Sequence, residues 1–236
     1  MSIDPADPLS PDTAVATGRS PWRDPLVVTL AVLALAAVIV AGLAVRGVLG
    51  PYVPQPGSVD VGFAQDMSVH HRQAVEMASW AREHTADPRV RQLAFDVETT
   101  QNRQVGIMQG WLGLWDTSTL PTGGHMAWMA DGMNQPGDAM AGMNADGSVP
   151  RMPGMATAEE LARLRATPPP QLDVVFLQLM LRHHEGGASM LQYGRDHADT
   201  SEVRNLASQM LTAQTTESRL MRSLLAEQGA QPLPGN

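Results

Sequence analysis

The residues of this chain with the clearest chemical potential are histidines and methionines that recur together at helical spacing. Two adjacent histidine pairs each follow a methionine by three residues, and a further methionine and a further histidine come after each pair. The two sets are Met67, His70, His71, Met77 and His84, and Met180, His183, His184, Met190 and His197. Thioether sulfur is a soft ligand that suits Cu(I), and imidazole suits copper, zinc and nickel. Because neither ligand is negatively charged, the pattern predicts a soft, monovalent ion, with Cu(I) as the first candidate.

Helical geometry restricts how these side chains can share an ion. Residues three or four apart are neighbours on a helix, so Met67 can act with His70 or His71. Adjacent histidines diverge by about 100°, so one of each pair points along the methionine stripe. We therefore expect layers between the two sets. One layer would join Met67 and His70 to Met180 and His183, and deeper layers would join Met77 to Met190 and His84 to His197.

A packed protein core explains the same pattern without a metal. Methionine fills irregular gaps in cores, and a buried histidine is usually hydrogen-bonded. His84 and His197 fall near predicted helix ends, where a positive charge interacts favourably with the helix dipole. The alternative function is thus a non-catalytic interaction module whose histidines and methionines are core residues.

Composition excludes several other classes of function. The chain has no cysteine, so disulfides, thiolate zinc sites and a cysteine nucleophile are absent. Its net charge is −8 and its basic residues do not cluster, which disfavours nucleic-acid binding. The sequence contains no Glu-x-x-His pair for a carboxylate di-iron centre, and no nucleophile triad or phosphate loop. We therefore expect a binding protein and not an enzyme.

The N-terminal part of the chain predicts a membrane anchor. The twenty residues from Leu26 to Val45 carry no charge, and a helix of that length spans roughly 30 Å of hydrocarbon. Arg19 and Arg23 precede this segment, which favours a cytoplasmic N-terminus. We predict a disordered tail over residues 1–25, a transmembrane helix over 26–49, and an extracytoplasmic C-terminal domain of a single-pass cell-membrane protein. A cleaved signal peptide is the alternative, although no clear cleavage site follows the segment.

The remainder of the chain contains an internal repeat. Residues 60–113 align without a gap to residues 173–226 at a constant offset of 113, and six of the seven histidines fall in register. Each copy contains two apolar stripes of period 3.6, with Asp60 placed to cap the first helix and Asp87-Pro88 to separate the two. Two helical hairpins predict an all-α four-helix bundle over residues 57–228, followed by a short tail over 229–236.

A long segment rich in glycine, methionine and proline, residues 116–168, joins the two copies. Thr157 and Glu160 form the pattern of a capping box that opens a short helix to about Arg165. A segment of this length is usually functional or disordered. It is either a flexible arm that captures copper or a packed lid over the bundle. Its histidine and methionines are His125, Met126, Met129, Met133, Met140, Met143, Met152 and Met155.

The repeated pattern Asp-x-x-Phe-x-x-x-Met-x-x-His-His-x-x-x-x-x-Met resembles the bacterial family called domain of unknown function 305, which is ferritin-like in fold. The second copy is the more similar, and the first has Gln104 where the family usually has Glu. The resemblance implies a ferritin-like bundle and, through some members, an association with copper. The matching residues of the second copy are Phe176, Met180, His183, His184, Glu185, Gly187, Ala188, Met190, Gln214, Glu217, Met221 and Leu225.

Overall fold

The computed structural model describes residues 24–49, 52–132, 144 and 147–236. These residues form six α-helices and a short 3-10 helix at Ala127–Gly132, and within them the β-structure is limited to one bridge between His125 and Val149. The predicted all-α class is therefore confirmed. The helices are α1 (Pro25–Leu49), α2 (Val59–His84), α3 (Pro88–Leu114), α4 (Ala158–Ala166), α5 (Gln171–His197) and α6 (Ser201–Glu227).

The first helix and the remaining helices belong to separate compact units, Met1–Tyr52 and Val53–Asn236. Within α1, the segment Pro25–Val45 is long and apolar enough to cross a membrane. A signal sequence near the N-terminus has the same length and composition. The structure thus contains the predicted apolar helix, and its role as an anchor remains a proposal.

The four long helices of the second unit form the two predicted hairpins, α2–α3 and α5–α6. The turn of the first hairpin ends at Asp87, whose side chain accepts a hydrogen bond from the amide of Arg89, and Pro88 begins α3. The turn of the second hairpin ends at Thr200, which caps α6 in the same way. Local capping therefore fixes where each hairpin reverses direction.

The expectation that Asp60 caps its own helix was wrong, because Ser58 occupies that position and accepts from the amide of Val61. The buried Asp60 carboxylate instead accepts hydrogen bonds from the backbone amides of Asp199 and Thr200, at 2.8 and 2.9 Å. The equivalent residue of the second copy, Asp173, accepts from the Thr85 hydroxyl in the turn of the first hairpin. Each hairpin thus holds the turn of the other, which requires α2 and α5 to run antiparallel.

The antiparallel arrangement confirms the predicted pairing of His70 with His183 but not the predicted pairings of Met67 with Met180, Met77 with Met190 and His84 with His197. The buried apolar residues form two clusters, and Met67 lies with Met190 in one of them while Met77 lies with Met180 in the other. Because α2 and α5 run in opposite directions, His84 and His197 lie at opposite ends of the bundle. The repeat alignment correctly identified equivalent residues. Equivalent residues are neighbours only where they lie close to the pseudo-twofold axis, as His70 and His183 do and His84 and His197 do not.

A layer of polar side chains separates the two apolar clusters on all four long helices. We call this set the histidine layer, and its members are His70, His71, Gln101, Gln104, His183, His184, Gln214 and Glu217. All of them are buried except Glu217, which is half-buried. The bundle therefore has a polar cross-section at its middle, between two apolar ends.

Parts of the segment between the hairpins pack against the bundle as a lid. Met126, Met129 and Met152 are buried in the same apolar cluster as Met67 and Met190. This agrees with the packed-lid hypothesis and not with a flexible arm for these three residues. The predicted positions Met133, Met140 and Met143 lie outside the described residues.

Several polar contacts hold the lid in place. The buried Asp66 carboxylate accepts from the ring of His125 at 2.6 Å, the amide of Met126 at 2.7 Å and the indole of Trp128 at 2.8 Å. The predicted capping box of α4 is confirmed, and Glu160 from that box forms a bidentate pair with Arg182 of α5. A buried carboxylate and a largely buried guanidinium thus anchor the lid to opposite hairpins.

Candidate metal centre

The centre of the histidine layer is a pair of stacked imidazoles, one from each hairpin. The ring centroids of His70 and His183 are 3.8 Å apart with an interplanar angle of 36°, and both side chains are fully buried. Gly187 makes this approach possible, because a Cβ atom there would lie 2.9 Å from Cε1 of His70. The absence of a side chain at Gly187 therefore leaves room for the His70 ring beside α5.

Hydrogen bonds fix the protonation of the His70 ring. Its Nε2 lies 3.2 Å from the carbonyl oxygen of Pro153 in the lid, and a carbonyl can only accept, so Nε2 carries the proton. The Nδ1 lone pair is then unprotonated, and it is buried without a hydrogen-bond partner among the described residues. In the same part of the chain, neither ring nitrogen of His183 makes a hydrogen bond of normal geometry.

The second histidine of each pair turns toward the other helix of its own hairpin. His71 donates from Nε2 to Oε1 of Gln104 at 2.9 Å, and His184 donates from Nε2 to Oε2 of Glu217 at 2.6 Å. Within residues 52–132 and 147–236, the Nδ1 atoms of both rings are buried without a partner. The layer thus contains several imidazole lone pairs that are shielded from water and that accept no hydrogen bond from the described protein groups.

Burial keeps the rings of His70, His71 and His183 neutral. Desolvation lowers the pKa of His70 from 6.5 to about 4, the Pro153 hydrogen bond opposing the shift, and it lowers the pKa of His71 to about 3. The pKa of His183 also lies well below its usual value because of desolvation and then the neighbouring histidines. A neutral imidazole is the form that binds a metal, so the layer is in a ligand-competent state at neutral pH.

Thioethers flank the stacked pair on both sides. Met67 precedes His70 by one helical turn on α2, Met180 precedes His183 by one turn on α5, and both are fully buried. Met190 and Met77 lie in the apolar clusters on either side of the layer. Each face of the histidine layer therefore borders a pair of methionines, one from each hairpin.

The donor set fits a soft ion and not a hard one. Among the described residues, no three histidine, aspartate or glutamate side chains converge as they would around zinc or iron. The groups that do converge are two neutral imidazoles with thioethers one turn away, which suits Cu(I) and offers little to a divalent ion that prefers oxygen. The unpartnered nitrogens of His183 are the feature that such an ion would satisfy.

Two predicted site residues lie elsewhere. His84 and His197 are exposed at the ends of their helices, where each donates from Nδ1 to the carbonyl four residues earlier and stacks on the aromatic ring at that position. The rings are 3.7 Å apart for His84 and Trp80, and 4.1 Å apart for His197 and Tyr193. These contacts give both histidines a structural role at a helix end, away from the histidine layer.

Sequence reasoning missed the role of the lid in this site. It did not find the Pro153 carbonyl that orients His70, or the Asp66 carboxylate that holds His125 and Trp128. A signal for Asp66 was present, since the equivalent position in the second copy is Leu179 and an acidic residue in an apolar stripe needs a partner. No sequence pattern identified Pro153, because its contribution is a backbone oxygen.

Comparisons with known proteins match this architecture. A family model described as a domain of unknown function, DUF305, matches residues 60–225. No curated protein matches the chain. A DUF305 protein of Streptomyces coelicolor is 40% identical, with a TM-score of 0.66 over 76% of this chain and 99% of that one.

Two further solved structures share the fold. A DUF305 fragment from Deinococcus radiodurans is 31% identical, with a TM-score of 0.56 over 73% of this chain and 97% of that one. CopM in its Cu(I)-bound form is 20% identical, with a TM-score of 0.52 over 71% of this chain and 96% of that one. The family match over most of the helical unit and the identity to the Streptomyces protein agree with the repeated His-His-Met pattern, and the chain belongs to the DUF305 family.

Proposed function

We propose that this protein is a non-catalytic binder of Cu(I), which it holds in the histidine layer through His70 and His183 with thioether support from the adjacent methionines. The domain would serve copper tolerance, storage or delivery outside the cytoplasm. The observation that carries this proposal is the His183 ring, which is fully buried and whose two nitrogens make no hydrogen bond of normal geometry among the described residues.

The energetic argument is direct. A buried polar group without a hydrogen bond costs about 1–3 kcal/mol, and His183 and His70 together bury three such nitrogens within the described chain. An apolar core residue at either position would avoid that cost. Each neutral imidazole has one lone pair and one N–H group, so a metal ion bound by Nδ1 of His70 and by one nitrogen of His183 would offset the cost of two of these three nitrogens. This gives a physical reason for placing two imidazoles face to face here.

One structural neighbour has been solved with copper bound. CopM has been solved in a Cu(I)-bound and a Cu(II)-bound form, and both share the fold of this chain. At 20% identity this likeness supports the fold, and the choice of copper for the present chain rests on its own imidazole and thioether donors.

The test is a competition titration of the full chain, purified in detergent, with a chelator of known Cu(I) affinity. We expect the double variant His70→Leu/His183→Leu to lose the tightest binding, by at least about two orders of magnitude. Loss of a residue that only orients a metal ligand already weakens metal binding by about 10–100-fold. The matched control is His84→Gln/His197→Gln, which removes the same number of imidazoles from exposed positions and should bind as the parent does.

A result in which the central double variant keeps full affinity would refute the proposal. The alternative function, an interaction module whose histidines and methionines are core residues, would then be favoured. One observation supports that alternative, since Met67, Met77, Met180 and Met190 all belong to apolar clusters in which methionine packs as any core residue does.

We further propose that α1 anchors the helical domain to the outer face of the cell membrane. The apolar segment Pro25–Val45 has the length of a membrane span, and the Streptomyces coelicolor relative is itself considered a secreted protein. Protease added to intact cells should release the helical domain from the membrane fraction. A domain that stays protected would contradict export, and a mature protein that begins after α1 would show a cleaved signal instead.

A further inference from the structure

The two hairpins are not equivalent in the histidine layer, because they differ by one negative charge. Gln104 and Glu217 occupy the same position of the repeat, and each accepts a hydrogen bond from the Nε2 of the second histidine in its own hairpin. The two contacts have the same form, at 2.9 Å for His71 and 2.6 Å for His184. The layer is therefore symmetric in shape and asymmetric in charge.

We propose that Glu217 supplies the counter-charge for the metal ion of the histidine layer, acting as a positioning residue through His184. This inference rests on the proposed function. Imidazole and thioether ligands are neutral, so a cation bound among them would be uncompensated in the interior of the bundle. Burying an ion without a compensating charge is costly, and a carboxylate one hydrogen bond away from the layer reduces that cost.

The other buried carboxylates are already committed elsewhere. Asp60 holds the turn at residues 199–200, Asp66 holds the lid through His125 and Trp128, and Asp173 accepts from Thr85. In the described part of the chain, Glu217 is the only carboxylate with a hydrogen bond to a histidine of the layer. Among the described residues, the negative charge that is hydrogen-bonded to the layer's histidines therefore comes from the second hairpin alone.

Glu217 lies at the edge of the histidine layer, in contact with solvent. Its side chain is 19% exposed while the His184 side chain is fully buried, so the carboxylate forms the wall between solvent and the layer. It lines a shallow groove on α6 with Ser208, Thr212 and Thr216, whose hydroxyl-bearing surface is open to water. Contact with water lowers the desolvation cost of the carboxylate, while the hydrogen bond to His184 holds it close to the buried histidines.

The expected size of the effect follows from Coulomb's law. A unit charge about 10 Å from a monovalent ion, in a medium of effective dielectric constant about 20, changes the binding constant on the order of tenfold. Replacing Glu217 by glutamine removes the charge and keeps an oxygen acceptor of the kind that Gln104 already offers His71. The substitution therefore separates charge from hydrogen bonding.

The test measures Cu(I) affinity for four forms of the full chain in detergent, by competition with a chelator. The forms are the parent, Glu217→Gln, Gln104→Glu, and the double variant that moves the charge from the second hairpin to the first. We expect Glu217→Gln to bind on the order of tenfold more weakly and Gln104→Glu to bind more tightly. The double variant should return to within about threefold of the parent, which a purely structural role for Glu217 would not produce.

Equal affinities for all four forms, or a double variant as weak as Glu217→Gln, would overturn the inference while leaving Cu(I) binding itself intact. If Glu217→Gln does not fold, as judged by helical circular dichroism, Gln104→Glu decides the question, and no gain in affinity overturns the inference. A parent protein that binds no Cu(I) would refute the proposed function, a result that is distinct from equal binding by the variants.

Discussion

The centre of the bundle and its two ends contain histidines of the same repeat but in opposite environments. At the centre, His70 and His183 are fully buried and stacked on each other. At the ends, His84 and His197 are exposed, and each is satisfied by a carbonyl and an aromatic ring of its own helix. Residues on one helical stripe therefore share a face of the helix, but the stripe does not predict which of them are buried and which are exposed at the helix ends.

The pH dependence of stability should show this difference most strongly. The low pKa values of His70, His71 and His183 mean that the unfolded chain takes up protons below pH 6.5 while the folded chain does not. The stabilisation is complete above pH 6.5 and is lost as the pH falls toward 4. We expect the metal-free protein to lose about 2 kcal/mol for His70 and about 2 kcal/mol for His71 between pH 7 and pH 5, and a further amount for His183.

Denaturant unfolding at several pH values checks this prediction. The variant His70→Leu/His183→Leu should keep only the part of the pH dependence that comes from His71, whereas His84→Gln/His197→Gln should keep nearly the pH dependence of the parent. A parent protein whose stability is flat between pH 7 and pH 5 would show that the central rings are not held neutral by burial.

The lid should protect the centre and leave the ends unaffected. A Cβ atom on Gly186 would lie 2.4 Å from the backbone nitrogen of Gly154, so Gly186→Ala must displace the lid next to Pro153. We expect a loss of stability of about 1–3 kcal/mol. In the variant, diethyl pyrocarbonate should modify the central histidines, whereas in the parent it should modify mainly His84 and His197. Unchanged protection of the centre would mean that the lid does not control access.

A smaller effect is expected where a side chain, and not backbone, opposes the new methyl group. In Gly187→Ala the Cβ atom meets the ring of His70, so we expect a loss of about 1 kcal/mol and weaker Cu(I) binding. The matched control is Gly106→Ala on the exposed face of α3, where a Cβ atom has open space. That variant should gain about 0.5–1 kcal/mol from helix propensity alone, as measured by thermal unfolding. Equal stability changes in the two variants would show that Gly187 is not needed for the ring.

The helices and the central histidines could be predicted because both depend on local rules. Periodicity and capping residues set the hairpins, and the register of His70 with His183 in the repeat marked them as equivalent. The pairing of Met67 with Met190 could not be predicted, because it depends on the direction in which the hairpins dock. That direction is fixed by long-range contacts such as the hydrogen bonds from the amides of Asp199 and Thr200 to Asp60. In the sequence, Asp60 has the position of a helix cap, so its pattern does not indicate these contacts.

The lid shows a second limit of sequence reasoning. Its methionines were recognised as unusual, but the choice between a flexible arm and a packed cover depended on contacts with distant residues such as Asp66 and Arg182. The site residue it contributes to the centre is a proline carbonyl, which any residue type would offer. Backbone ligands and docking partners leave no compositional signature.

X-ray absorption spectroscopy of the Cu(I)-loaded full chain tests the central claim most directly, because it identifies the atoms bound to the ion. A copper site in the histidine layer should give both imidazole nitrogen and thioether sulfur as atoms bound to the ion in the parent protein. In His70→Leu/His183→Leu the imidazole contribution should disappear, while in His84→Gln/His197→Gln the spectrum should match the parent. A parent spectrum without imidazole, or one that the central double substitution leaves unchanged, would contradict a copper site in the histidine layer.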